Sequence, residues 1–254
     1  MIASIMMVTY NRLELTKQTL DCLLENTQYP FNLCIVDNGS SDGTVNWFLN
    51  QTGKILSDKT NNCQNISFKN NKENKGIAIG RNQGLVLANQ LNDDWLVTMD
   101  NDVWVPKGWL TESIEILKSN RQFGAIGVNM EGRPYTLIEV NGKKFQEKPQ
   151  GNLGTACMVF NRSLHKLLGY FNHEDYKLYA HEDADFGMRV RVVGLKLGYI
   201  EKMGRHIGEG ENDQGEYREF KNEWGKRNLP AFHKNAGEYM RKQRSHYISF
   251  EDDS

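Results

Sequence analysis

WLVTMDND, residues 95–102, is the stretch whose reading decides the fold. A short apolar run leads straight into two carboxylates spaced two residues apart, Asp100 and Asp102. A run of this length bounded by polar residues reads as a buried strand. Carboxylates at its end are placed to hold a hard divalent cation, with positions left for phosphate oxygens and water. Taken alone, such an Asp-x-Asp is more readily read as a solvated turn, so the surroundings must carry the rest.

Upstream, strand and helix signals alternate. Residues 2–8 form an apolar run, and Leu13, Thr16, Leu20 and Leu23 fall at helical spacing. A second apolar run, 31–36, ends in DNGSSDG, a cluster of turn and helix-cap residues. A helix through Val45, Trp47, Phe48 and Leu49 follows, then a strand at 66–68 and a helix over 76–91. Strand-helix repetition with short connections predicts a parallel, doubly wound α/β sheet. Ligands of such sheets bind beyond the carboxyl ends of the strands, and polar clusters stand there: TYNR, DNGSSDG and DND. Downstream, strands are expected at 123–129, 153–160 and 195–200, a hairpin or loop at 132–150, and a helix at 181–193.

Composition narrows the function. With 39% apolar and 25% charged residues the chain is globular rather than disordered, and a net charge of −1 argues against a nucleic-acid binder by bulk electrostatics. No apolar run approaches the ~18 residues of a membrane span. The first residues lack the basic lead of a signal peptide, which makes cytoplasmic the expected location. The four cysteines, Cys22, Cys34, Cys63 and Cys157, have no metal-ligand spacing and read as buried thiols. Gly76, Gly80 and Gly84 repeat every fourth residue, which is not the dinucleotide fingerprint and speaks against a nicotinamide enzyme.

VTYNR (8–12), VDNGSSDGT (36–44), NKGIAIGRNQGL (74–85) and MDND (99–102) resemble, in order and spacing, the inverting family 2 glycosyltransferases of the GT-A fold. GTACMVFNRSLHKLLGYF (154–171), HEDADFGMRVRVVG (181–194) and RHIGEG (205–210) continue the likeness, which covers roughly residues 1–210. The resemblance implies transfer of a sugar from a nucleoside diphosphate, with UDP the expected nucleotide, to a hydroxyl with inversion, assisted by Mn²⁺ or Mg²⁺. By the same resemblance Thr9, Tyr10 and Arg12 lie along the nucleotide, and Asp37 accepts from the base unless it only caps a turn. Gly76 lies near the diphosphate, Arg81 orders Asp37 or a phosphate oxygen, and Asp100 and Asn101 face the donor. Asp102 binds the metal with support from Asp100 and with His206 as third ligand; imidazole suits Mn better than Mg. Thr155 and Glu182 belong to the acceptor side. Asp183 is the expected catalytic base, because in-line displacement needs a carboxylate to take the acceptor proton, with Glu182 as its rival. One departure stands out: Phe171-Asn172-His173 replaces the family's usual Phe-Asp-Glu.

The expected organisation is a GT-A domain over 1–211, with a nucleotide-sugar half (1–102) and an acceptor half (103–211), and a basic, aromatic helical extension over 212–254. In the extension, cations such as Lys226, Lys234, Arg241 and Arg244 interleave with aromatics. It reads either as a segment packing its rings on the domain or as a surface for a polyanion. The final EDDS is expected to fray. Acceptor glycan, protein and modified nucleic acid all remain open. A sugar nucleotidyltransferase, a non-catalytic binding module on the same fold and a retaining transferase are the rival readings.

Overall fold

The computed structural model describes residues 1–207 and 216–252. The first half alternates as expected: β1 (Ala3–Thr9), α1 (Leu13–Asn26), β2 (Phe31–Asp37), α2 (Thr44–Ser57), β3 (Cys63–Asn70), α3 (Ile77–Leu91) and β4 (Trp95–Asp100). Next come β5 (Val103–Trp104), α4 (Trp109–Ser119), β6 (Phe123–Asn129), β7 (Leu137–Val140), β8 (Lys143–Lys148) and β9 (Cys157–Asn161). The remainder is α5 (Arg162–Leu168), α6 (Glu182–Val192), β10 (Lys196–Met203), β11 (Arg205–His206) and α7 (Glu216–Lys242). The expected domain edge at 211/212 lies outside the described residues. No helix among the described residues is long and apolar enough to cross a membrane.

Nine strands form one sheet in the order β3-β2-β1-β4-β9-β6-β10-β8-β7. It is mostly parallel: β9 runs against β4 and β6, and β8 against β10 and β7, while the other pairings are parallel. Helices cover both faces, because alternate strand residues point to opposite sides. Ile5 and Met7 of β1 join one core with Leu20 of α1, Phe48 of α2 and Trp109 of α4. Met6 joins the other with Leu85 of α3, Leu164 of α5 and Phe186 of α6.

The four-residue glycine repeat has a packing cause. A Cβ on Gly80 would stand 2.8 Å from Val8 Cγ1, and one on Gly84 3.1 Å from Met6 Cβ. α3 therefore lies close against β1, and the chain enters the sheet's switch point over bare backbone. There β1 leads outward to β2 and β3 before the chain returns to β4. The crevice beyond this point is where doubly wound sheets bind ligands.

Three local expectations change. The strand expected from 153 starts at Cys157, because Gly154 turns with φ +71° and residues 153–156 become a loop. α4 was not anticipated. The acidic tail does not fray as far as Asp252, whose carboxylate bonds Lys69 Nζ at 2.9 Å and Gln83 Nε2 at 3.1 Å. Ile248 holds the same stretch to the domain by exchanging backbone bonds with Leu168 and Tyr170.

Candidate active site

A cleft of about 600 Å³ opens above β1 and β4, within the range of small-molecule sites. Its donor-side wall includes Tyr10, Arg12, Arg81, Asp100, Asn101 and Asp102; Thr155, Glu182, Asp183 and His206 face them. Register accounts for the first group. Val8 pairs with Asp100 across β1 and β4, so the acidic end of β4 rises beside the loop that carries Tyr10 and Arg12. In that loop Asn11 (φ 54°) and Arg12 (φ 62°) are both left-handed, a strained conformation for side-chain-bearing residues that functional loops often hold. The loop is held there by stitches to the loop after β2: Asn11 N–H donates to Ser40 Oγ at 2.7 Å, and Leu13 N–H to Asp42 Oδ2 at 2.8 Å.

Of the three expected metal ligands, the structure brings two together. β11 pairs antiparallel with β5 and sets His206 opposite Val103. This brings His206 Nδ1 to 3.4 Å from Asp102 Oδ1, while Arg12 Nη1 bonds Asp102 Oδ2 at 2.9 Å. Asp100 does not join them. Its Oδ1 accepts from Arg81 Nη2 at 2.9 Å, and no group of three His, Cys, Asp or Glu able to hold a metal forms among the described residues. One carboxylate and one imidazole fit a divalent ion whose other positions are filled by diphosphate oxygens and water.

Arg81 is buried on α3 and bridges Asp100 and Glu182 rather than Asp37, and it also borders the cleft. Burial works against its charge, but Asp100, Glu182 and Asp183 outweigh burial and raise its pKa. Glu182 is buried as well, and its second oxygen, Oε2, has no hydrogen-bond partner among the described residues. Burial pushes its carboxyl up to about 7, against Arg81, which lowers it, and with help from the neighbouring Asp183 charge. Asp183, half-buried at the start of α6, opens onto the cleft and accepts from Asn152 Nδ2 at 2.9 Å. The two neighbours therefore differ in kind: Glu182 is sealed against Arg81, and Asp183 is available to a ligand.

Thr9 and Asp37 are not on the cleft wall. Asp37 is fully buried, with Oδ2 accepting from the Thr9 hydroxyl at 2.9 Å and Oδ1 from the N–H groups of Gly39 and Ser40. The turn-capping bonds are observed, and they hold Asp37 behind the cleft wall. Asp42 caps the next helix, bonding Thr44 N–H at 3.1 Å. Asn38, which the sequence reading passed over, borders the cleft instead and ties Asn71, Asn74 and Gly76 together. Asn101 borders the cleft, but its amide is bonded to Thr16 Oγ1 at 2.8 Å.

Gly76 serves packing. At φ +91° it lets Leu178 come so close that a Cβ would stand 2.6 Å from Leu178 Cα. Leu178, Ala180 and His181 are themselves left-handed (φ 53°, 74°, 72°) and lead directly into Glu182 and Asp183. Gly76→Ala is expected to cost about 1–3 kcal/mol, read as a fall in denaturant midpoint; an unchanged midpoint would mean that the 177–181 loop gives way freely.

α7 holds that loop from outside. Asn228 Nδ2 donates to the carbonyls of Lys177 (2.9 Å) and Tyr179 (2.8 Å), and His181 Nε2 to Gly225 O at 2.9 Å. Phe232 stacks on His181, and the Tyr239 hydroxyl donates to Asp185 Oδ1 at 3.0 Å. Asp185, fully buried and paired with Arg189 at 2.7 Å, thus faces away from the cleft. Phe232 and Tyr239 pack inward, as the packing reading of the extension expected, while Tyr247 is 61% exposed. Phe220 and Lys221 reach the cleft, a contribution that the expected domain division did not foresee.

Comparisons with known proteins agree with this architecture. The family model described as Glycosyl transferase family 2 matches residues 4–168. The chain is 26% identical over 171 residues to the bifunctional glycosyltransferase pgtA of Dictyostelium discoideum, covering 67% of this chain but only 20% of that protein. Among solved structures it resembles the mannosyltransferase PcManGT of Pyrobaculum calidifontis, determined with GDP-Man and Mn²⁺ (TM-score 0.61, 16% identity, 83% of this chain, 58% of that one). It also resembles S. aureus TarS 1–349 with UDP-GlcNAc (TM-score 0.61, 17% identity, 86% of this chain, 61% of that one). The chain thus spans one fifth of the curated relative and about three fifths of these structures. At such identities the structures speak to the fold, which is the GT-A arrangement expected.

Proposed function

We propose, from the premise that this chain belongs to glycosyl transferase family 2, that it moves a sugar from a nucleoside diphosphate to an acceptor hydroxyl with inversion. One observation carries the reading: a carboxylate open to the cleft, Asp183, faces a carboxylate–imidazole pair, Asp102 and His206, across a cavity sized for a nucleotide sugar. The half through residue 102 would hold the donor, and residues 103–211 would hold the acceptor.

In this reading the base lies along the exposed ring of Tyr10, beside Asn74, and Asp100, held by Arg81, meets the ribose. Asp102 and His206 would hold Mn²⁺ or Mg²⁺, which when bound neutralises charge gathering on the departing diphosphate. Arg12, bonded to Asp102, keeps that carboxylate oriented. Asp183 takes the proton of the acceptor hydroxyl while the oxygen bonds the anomeric carbon. The bond from that carbon to the diphosphate breaks on the opposite side, and its electron pair leaves with the diphosphate. One displacement gives inversion. Thr155 and the 177–181 loop flank the acceptor. UDP is the first donor to try, since TarS was solved with UDP-GlcNAc; with Asp37 engaged elsewhere, GDP is a real competitor.

A thermal-shift panel of UDP, GDP, dTDP and CDP, each with Mn²⁺ or with chelator, tests this. A nucleotide at about 100 times its Kd adds about 2.7 kcal/mol of stability. The expected result is a metal-dependent shift with UDP that His206→Ala abolishes. A shift with GDP alone would move the donor assignment. No shift with any nucleotide would overturn the donor site.

A further inference from the structure

The inward face of α7 is accounted for by the 177–181 loop, and its outward face is not. Glu223 is paired with Arg227 at 2.5 Å, and from Lys226 to Tyr247 the side chains turned to solvent are basic or apolar apart from Gln243, with Ser249 and Glu251 exposed further on. Lys226, Lys234, Arg241 and Arg244 are exposed. Between and beyond them stand Leu229, Met240 and Tyr247, exposed to 38%, 68% and 61%. From Lys226 to Tyr247 the one acid is Glu238, held by Lys242 at 3.1 Å. On a chain whose net charge is −1, this is a strongly one-sided patch.

We propose that this face of α7, with the segment that follows it as far as Tyr247, docks on an anionic lipid surface, the cations meeting headgroup charge and Met240, Leu229 and Tyr247 entering the headgroup–acyl boundary. Charge complementarity identifies the partner's sign, and the apolar side chains identify its kind. A polyanion such as duplex DNA would be met by the cations alone, whereas a membrane interface also takes up large apolar side chains. Basic residues near such a surface each raise partitioning about fivefold, and the attraction fades within a Debye length. The remaining apolar contribution is insensitive to salt. Docking requires nothing of the nucleotide cleft, so vesicle binding and nucleotide binding are separately measurable.

The test is co-sedimentation of the full chain with phosphatidylcholine vesicles, with or without about one third phosphatidylglycerol. Binding to the anionic vesicles alone, weakened by salt, is expected. Lys234→Glu with Arg241→Glu should lower partitioning at least about tenfold, and Met240→Ser should lower the fraction that survives high salt. These positions are exposed, so an unchanged melting temperature confirms the variants' folding. Equal binding to neutral vesicles, unaltered binding by the charge-reversed variant, or duplex DNA binding with no vesicle binding would each overturn the proposal.

Discussion

Asp183→Asn is expected to lower turnover by about 10²–10⁴-fold, the usual worth of a positioned base, with nucleotide affinity nearly unchanged. The substitution keeps size and hydrogen-bonding reach, so the contact with Asn152 at 2.9 Å can persist through the amide oxygen. What disappears is a group able to accept a proton from a hydroxyl. The measurement is kcat with the donor found by the nucleotide panel, alongside nucleotide affinity for the same variant. Normal turnover would remove Asp183 from the role. A collapse in Glu182→Gln alone would transfer the role to Glu182, despite its ion pair with buried Arg81.

The largest expected effect on stability comes from Arg81→Met. Removing one partner of a buried ionic group costs about 3–5 kcal/mol, because the remaining charge is left unpaired. Here Glu182 would be stranded in the interior with its Oε2 already lacking a partner among the described residues, and Asp100 would lose its bond at 2.9 Å. The cost should depend on pH. A carboxyl raised from its ordinary 4.5 to about 7 in the folded state holds a proton that the unfolded chain lacks in that window. Its contribution is therefore present below the ordinary value and is lost as pH rises through about 7. Without Arg81 the carboxyl is pushed higher still, so the deficit should be larger at pH 8 than at pH 5. Urea unfolding at both values checks this, and a deficit equal at both would show that Glu182 is not what the missing arginine exposes.

The fold was legible because its signals are local. Short apolar runs ending in polar clusters give strands whose tips gather at one end of a parallel sheet, and the cleft is where those clusters pointed. α4 was equally local: Trp109, Leu110, Ser113, Ile114 and Leu117 are buried at helical spacing, a pattern that periodicity alone could have found. The site was legible in its inventory and less so in its partnerships. Asp37 ends β2 and Asn38 begins the turn after it, so which of the two borders the cleft is set where the strand gives way to the turn, by one residue. Arg81 meets Glu182 across 101 positions of sequence, and Asp252 meets Gln83 across 169. No local pattern encodes such pairs. The glycine repeat was visible as a spacing, but its cause, the proximity of β1 and of the Leu178 backbone, belongs to the folded chain.

The dependence of the 177–181 loop on α7 reaches into biosynthesis. A ribosome delivers this chain in order, and Asp100, Asp102, Glu182, Asp183 and His206 all emerge before Asn228, Phe232 and Tyr239, which secure the loop. A translation product halted between codons 207 and 228 therefore carries every acidic and imidazole group of the cleft, with its left-handed approach to Asp183 unsecured. Chains that stop there are thus expected to turn over far more slowly than chains that carry α7.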